Sequence, residues 1–556
     1  MQLYSIMPLD TAHVEKICED IERQYRDGVC DCALFMFRLV PEGNPVIDKA
    51  KIQGEKYAVF RDRLAQKGLS CGILVQCTIG HGYPLNEKSP FEMYVGLTDG
   101  QVTNVCCPYD EGARSYFRDQ MATLASLCPK VIMVDDDFRL MYRGEKGCAC
   151  SLHMKAVNER LSENLDRAQL FEILKNEDDP RRETVTEAYI ETQRDALLGA
   201  ACAMREGIDS VDPTLPGVFC SVGHTTEFGG EIAKILAGEG NPSVVRINNG
   251  NYTPEGARYL SKVSFRCAQQ AEILRRAGVD VILAETDTCP QNRYSTGAQS
   301  LHAHFVASIL EGANGAKHWI TRLNAFEPSS GVAYRKKLSS YRNFYSTLAE
   351  TVPNVRWQGC RIPFPQKLDY GFTKEGWYQP SNDWARSVLE RMGIPLYYSS
   401  EQGGAVCLEG SLEGFGDDEL CAMCGGVMLI ASDSAAELCE RGFGDALGVD
   451  VEPWNGAHTS GERIHINGQP CAVQMGVRCL IPQNERVRVA STVYHLKDGK
   501  NEIPLFPGVT VYENSMGGRA IIFAGTPKAR FKYYEAFSFL NESRKEQLVS
   551  ILKEAD

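Results

Sequence analysis

No run of apolar residues in this chain approaches the ~18–20 that a bilayer-crossing helix needs, so no membrane span is expected. The opening stretch, MQLYSIMPLDTAHVEKICED, lacks a basic segment followed by an apolar one and does not read as a secretory signal. Positive charge is in deficit: 59 Lys and Arg stand against 72 Asp and Glu, a formal net charge of −13. Nothing in that balance offsets phosphate repulsion, which argues against nucleic acid or an anionic membrane as partner. A neutral substrate such as a sugar is untouched by the argument. Internal repeats and low-complexity tracts are also missing.

Cysteine, in contrast, is plentiful. The 21 cysteines are odd in number, scattered, and often set in apolar runs such as CGILVQC. In a secreted chain they would be a disulfide hazard; in a reducing cytosol they serve as small buried hydrophobes. A cytoplasmic protein is expected. At 556 residues the chain is too long for one core, and two to four domains are expected.

Up to about residue 352 short apolar runs alternate with segments of helical period. The expected strands are 32–40, 71–79, 130–135, 217–222, 243–247, 279–285 and 315–321. Helices are expected over 48–67, 112–127, 185–206, 254–277, 297–312 and 333–351. Such alternation implies a parallel sheet covered on both faces. Seven visible strands favour a (β/α)8 TIM-type barrel over residues 1–355, with an open doubly wound sheet as the alternative. The Pro- and Gly-rich stretch RWQGCRIPFPQKLDYG then marks a boundary. Residues 356–445 with 519–556 read as a small α/β domain, flavodoxin-like, and 446–518 as a β-rich insertion.

Polar residues crowd the C-terminal ends of the expected strands, which in a barrel converge on one mouth. Glycosidic hydrolysis needs two carboxyl groups on opposite sides of the bond, one giving a proton and one attacking or activating water. Glu285 follows the apolar run VDVILA and would emerge from a packed wall; the alternative is a strand-end Glu paired with Arg293 or Arg322. Asp135, Asp136 and Asp137 follow VIMV. Three adjacent carboxylates repel one another, which raises at least one pKa, as a general acid requires. Arg139 balances their charge; a helix cap or solvated turn is the competing reading. His81, His224 and Asn248 are candidate hydroxyl binders, and Trp319 offers a ring face or simply packs in the core. Asp136, Arg139 and Arg322 complete the expected substrate-binding set. Cys148, Cys150 and His153 have metal-ligand spacing suited to zinc, with a fourth ligand from elsewhere.

Three stretches resemble glycoside hydrolase family 42, the β-galactosidases, and the related family 164, which includes β-mannosidases. The first is Cys107-Pro108, the helix EGARSYFRDQMATLASL and VIMVDDDF; the second is GCACSLHMKAVNERL; the third runs from LAETDT through STGAQSLHAHFVASILEGANGAKHWITR. The resemblance implies Glu285 as nucleophile, Asp137 as acid/base and Asp136 in the place of the neighbouring Asn. It implies a retaining mechanism through a glycosyl-enzyme on a β-linked terminal sugar, with no cofactor needed for the chemistry. A structural zinc on Cys107, Cys148, Cys150 and His153 is implied, as is a homotrimer formed through the domain after 355. Four positions depart from the family pattern: Asp137 stands for Glu, Asp136 for Asn, His153 for Cys and Thr321 for Trp. These departures keep open a catalytically diverged carbohydrate-binding or assembly protein, and a barrel hydrolase in which the Asp run and histidines hold a metal.

Overall fold

Eight short runs, most of them Val-, Ile- and Leu-rich, form the parallel strands of a closed barrel: β1 (Gln2–Met7), β2 (Cys32–Arg38), β3 (Gly72–Gln76), β4 (Ile132–Val134), β5 (Gly217–Cys220), β6 (Val244–Arg246), β7 (Val281–Asp287) and β8 (Gly315–Trp319). Each pairs with its sequence neighbour, and β1 closes the circle on β8 through Gln2↔Gly315. The computed structural model describes residues 1–223, 225–250, 260–292, 294–322, 326–327, 329, 331–365, 372–373, 376–377, 388–399, 401, 404–472, 477–525 and 540–553. The chain divides into two compact units, Met1–Val355 with Phe372–Trp377, and Arg356–Gly371 with Tyr378–Asp556.

The seven strands read from sequence all lie in the barrel. The eighth, β1, escapes the pattern because Gln2 and Ser5 interrupt its apolar run. Helices α1 (Val14–Arg26), α2 (Lys49–Ala65), α3 (Glu111–Ser126), α4 (Ser151–Leu161), α5 (Arg167–Lys175), α6 (Arg182–Asp209), α7 (Thr225–Ala237), α8 (Leu260–Arg276), α9 (Ala298–Leu310), α10 (Val332–Ser340) and α11 (Arg342–Thr351) accompany the strands. The Asp48 and Asp110 side chains accept from the backbone N–H groups of Lys51 and Ala113, capping α2 and α3 at their exposed donors. Among the described residues, no helix is long and apolar enough to cross a membrane.

Strand alternation makes two cores. One face packs outward on the helices, as with Phe35, Phe37, Ile73 and Ala284 against Tyr57, Phe60 and Phe305. The other fills the barrel with Ile6, Leu34, Leu74, Met133, Val218, Val244 and Leu283. This interior plug forms the floor under the mouth.

In the second unit β9 (Cys360–Pro363), β10 (Leu396–Ser399), β11 (Val406–Leu408), β12 (Val427–Ile430), β13 (Gly461–Ile464), β14 (Pro470–Cys471), β15 (Arg488–Lys497), β16 (Asn501–Glu513) and β17 (Arg519–Phe523) form one sheet. Its order is β10-β9-β11-β12-β17-β16-β15-β13-β14. The first five are parallel, and β16, β15, β13 and β14 extend the same sheet antiparallel from β17, while Val449–Pro453 and Arg478–Pro482 pair as a separate antiparallel ribbon. Arg544, buried beneath, donates to Glu462 on β13 and to Gln547.

Close approach at Gly217 carries β5 against α7: a Cβ there would lie 2.0 Å from the Leu236 carbonyl oxygen. Gly217→Ala is expected to cost about 3 kcal/mol, the upper range of core overpacking, by denaturant unfolding. Gly144→Ala, where a Cβ would meet nothing within 4 Å, is expected to leave stability unchanged.

Candidate active site

One step above the apolar plug the inward positions turn polar. Two residues beyond Leu74, Met133, Val244 and Leu283 stand Gln76, Asp135, Arg246 and Glu285, and two beyond Gly315 stands Lys317. All five are buried. Gln76, Asp135, Arg246 and Glu285 form the base of a cavity of about 570 Å³ at the C-terminal mouth, a size suited to a small ligand, with Lys317 behind them.

Arg246 is the hub. Its Nη2 lies 3.0 Å from Asp135 Oδ1 and 3.4 Å from Asp136 Oδ2, and its Nη1 lies 3.2 Å from Glu285 Oε2. Lys317 Nζ adds a second cation 3.0 Å from Asp135 Oδ1, and Gln76 donates to Asp135 Oδ2 at 2.9 Å. Burial works against the charge on Asp135, but Lys317 and Arg246 outweigh it and hold the carboxyl well below the usual carboxylate range.

Glu285 is fixed from several sides. Its backbone N–H donates to Asn249 Oδ1 at 2.9 Å, and Asn249 Nδ2 donates to Ser308 on α9 at 2.8 Å. The Gly250 N–H approaches Glu285 Oε2 at 3.2 Å. A Cβ on Gly250 would sit 2.8 Å from that oxygen, so only glycine permits this approach.

The Asp run does not act as a unit. β4 ends at Val134, so Asp135 keeps the inward direction of the strand while the chain turns beyond it. Asp136 lines the cavity and takes Arg139 Nη2 at 2.8 Å. Asp137 is fully buried, is not among the cavity-lining residues, and accepts from the backbone N–H groups of Cys77 and Thr78 and from His81 Nδ1. Burial pushes its carboxyl up and His81 pulls it back. Arg139 Nη2 faces His81 Nε2 at 3.3 Å. Burial works against charge on the His81 ring, but its hydrogen bonds with Asp137 and Cys77 outweigh it and push the imidazole up to about 11. Cys77, His81 and Asp137 do gather three donor atoms within 4.8 Å. Nδ1 is engaged by the Asp137 carboxylate and Cys77 hydrogen-bonds the same ring, so the trio reads as a hydrogen-bonded chain.

His81, Asp136, Arg139, Asn248, Glu285 and Trp319 line the same cavity. Lys317 Nζ lies 4.7 Å from the centre of the Trp319 ring, so part of its face is already engaged by a cation. Arg322 does not line the cavity and faces Glu327 at 3.7 Å. His224 and Arg293 lie outside the described residues. Sequence reasoning missed Arg246, Lys317 and Asp287. The signal was present: a charged residue at an inward position of an otherwise apolar strand, as in SVVRI and GAKHWIT.

Cys107, Cys148, Cys150 and His153 are buried together, with their ligand atoms within 4.8 Å of one another. Cys107 Sγ is 3.3 Å from His153 Nδ1 and 3.5 Å from Cys150 Sγ, and Cys150 Sγ is 3.4 Å from His153 Nδ1. A tetrahedral zinc with bonds of about 2.0–2.3 Å separates its ligands by roughly 3.6–3.8 Å, so this donor set fits one with little adjustment.

No protein-family profile matches the chain, and no curated protein matches it. Solved structures do. A β-galactosidase from Bacillus circulans sp. alkalophilus superposes with a TM-score of 0.59 at 13% identity, covering 100% of this chain and 88% of its own. The α-L-fucosidase isoenzyme 2 of Paenibacillus thiaminolyticus gives 0.57 at 12%, covering 100% and 83%. The exo-β-1,4-mannosidase Op5Man5 from Opitutaceae bacterium strain TAV5 gives 0.55 at 12%, covering 94% and 91%. The likeness is one of fold, and it extends across galactosidase, fucosidase and mannosidase structures without singling out family 42 or 164.

Lys317→Met removes one of two cations from a buried acid and is expected to cost about 3 kcal/mol at neutral pH, measured by urea unfolding. The stability held by the depressed Asp135 carboxyl is present above its unfolded pKa of about 3.9 and lost as pH falls through its lower folded value. The deficit of the variant is therefore expected to shrink below about pH 4.

Proposed function

We propose that the chain is a glycoside hydrolase that removes a terminal sugar from a glycoside or short glycan, with Glu285 as the attacking carboxylate. The observation that carries this reading is the setting of Glu285: on an inward strand end, held at 3.2 Å by both Arg246 and Gly250, facing a cavity of about 570 Å³. A carboxylate of fixed direction at the wall of a cavity is what attack at an anomeric carbon requires. Kinship of fold with several sugar-cleaving barrels supports the substrate class. A β-linkage and retention rest on the sequence resemblance, as does the nomination of Asp137 as acid/base. His81, Asp136, Arg139, Asn248 and Trp319 supply donors, acceptors and a ring edge for the sugar hydroxyls and ring.

A second reading, sugar binding without turnover, draws on Asp137 standing behind the cavity wall. A structural zinc on Cys107, Cys148, Cys150 and His153 is supported by the geometry of the donor set. It would pin α4 to the loop before α3. The flavodoxin-like reading of the second unit is supported by its parallel strand order β10-β9-β11-β12-β17, the 2-1-3-4-5 order of that fold. The homotrimer rests on the resemblance alone.

Screened against chromogenic α- and β-glycosides, the wild-type chain is expected to cleave at least one, and Glu285→Gln to lose roughly a thousandfold or more of that turnover with its thermal melt intact. Full activity in the variant, or binding of glycans by calorimetry with no cleavage, counts against the proposal. Elemental analysis is expected to find about one zinc per chain. The paired change Cys148→Ser with Cys150→Ser is expected to abolish that zinc and lower the melting temperature.

A further inference from the structure

β7 delivers a second carboxyl to the same cavity. Val281 and Leu283 point into the barrel, and Glu285 and Asp287 continue that inward row. Asp287 is buried and lines the cavity with Glu285. Two residues apart on a strand, their Cα atoms are roughly 6.6 Å apart. Both side chains therefore enter one cavity from the same face of the strand.

The surroundings of Asp287 differ from those of Asp137. Asp137 has donors on both oxygens and stands behind the wall. Asp287 accepts the Cys289 N–H at 2.7 Å and Gln291 Nε2 at 2.8 Å, both on Oδ1. Among the described contacts this leaves Oδ2 as the oxygen for a transferable proton.

We propose that Asp287, rather than Asp137, is the proton donor of this site, acting beside Glu285; this rests on the glycosidase reading above. In the first step a Glu285 oxygen bonds to the anomeric carbon as the bond to the leaving oxygen breaks. The released electron pair takes the proton from Asp287 Oδ2, and the aglycone departs as an alcohol. In the second step ionised Asp287 takes a proton from water. The water oxygen bonds to the anomeric carbon, the ester to Glu285 breaks, and both carboxyls return to their starting states.

Electrostatics supports this cycle. Burial and then the Glu285 charge push the Asp287 carboxyl up to about 7, while Gln291, Lys317 and the Cys289 N–H pull the other way. Other charged or titratable groups lining the same cavity are Arg246 on β6, His81 after β3, Asp135, Asp136 and Arg139 after β4, and Lys262 and Arg266 of α8. Esterifying Glu285 removes its charge, so the proton affinity of Asp287 falls when it must change from acid to base. The competing role is a turn cap, since Oδ1 holds the 288–291 turn. Asn keeps that acceptor and removes only the proton carrier.

The test compares wild type, Glu285→Gln, Asp137→Asn and Asp287→Asn on two glycosides of a sugar the wild type cleaves. One carries dinitrophenol, which leaves without protonation; the other carries methanol, which does not. Asp287→Asn is expected to lose roughly a hundred- to ten-thousandfold on the methyl glycoside. It is also expected to keep fast release of dinitrophenol in its first turnover, to recover turnover with azide as a glycosyl azide, and to lose the basic limb of kcat/KM. Asp137→Asn is expected to affect both substrates alike. Cleavage of the methyl glycoside by Asp287→Asn within about tenfold of wild type overturns the proposal. So does the leaving-group signature appearing in Asp137→Asn instead. If Asp287→Asn does not fold, Asp287→Glu is expected to move the basic limb, and an unmoved limb overturns the proposal. Glycosidase activity that survives in Glu285→Gln sinks the underlying reading, and this inference with it.

Discussion

The mouth of the barrel depends on one guanidinium. Arg246 stands between Asp135, Asp136 and Glu285, which belong to or follow two separate strands. Buried carboxylates this close repel strongly where solvent screening is weak. A planar, permanently charged donor with several N–H groups can answer all three from one position, and Lys317 relieves what remains on Asp135. The apolar plug beneath fixes the inward direction of Arg246. The loop after β6 then returns over it to place Asn249 and Gly250 on Glu285. Plug, charge layer and loop form one construction with Glu285 at its centre.

The barrel was legible because its strands are apolar on both faces and its helices amphipathic. Seven strands and the main helices stand close to where the periodicity puts them. β1 was lost to two polar residues in a short run, and the hairpin Met93–Val95 with Val102–Cys106 to its shortness. In the second unit the turn-rich stretch does hold strands. The pairing of β16 with β17 could not be read from composition, because antiparallel register is set by distant partners.

The site was legible in part for the same reason. Glu285 was found because an apolar strand points it inward. The Asp run was visible as a cluster, but the split among its members was not, since β4 stops at Val134 and the chain then turns. One aspartate joins the interior network, one faces the cavity and one docks under the end of β3. Asp287 was overlooked beside its neighbour, although the same alternation that selects Glu285 selects it. Arg246 and Lys317 read as ordinary charges in sequence and become structural hubs only when the barrel closes. The Cys107, Cys148, Cys150 and His153 cluster gained most from three dimensions, because four donors spread over 47 residues meet in one buried place.

The central claim is that Glu285 forms a covalent bond to the sugar. Slow-turnover 2-fluoro glycosides of the cleaved sugar, followed by mass spectrometry of the digested protein, test it directly. The account predicts a single added sugar mass on the peptide that contains Glu285, removed when a competing acceptor is supplied. Turnover of the parent glycoside with no label on that peptide, or with the label on another carboxylate, would contradict it.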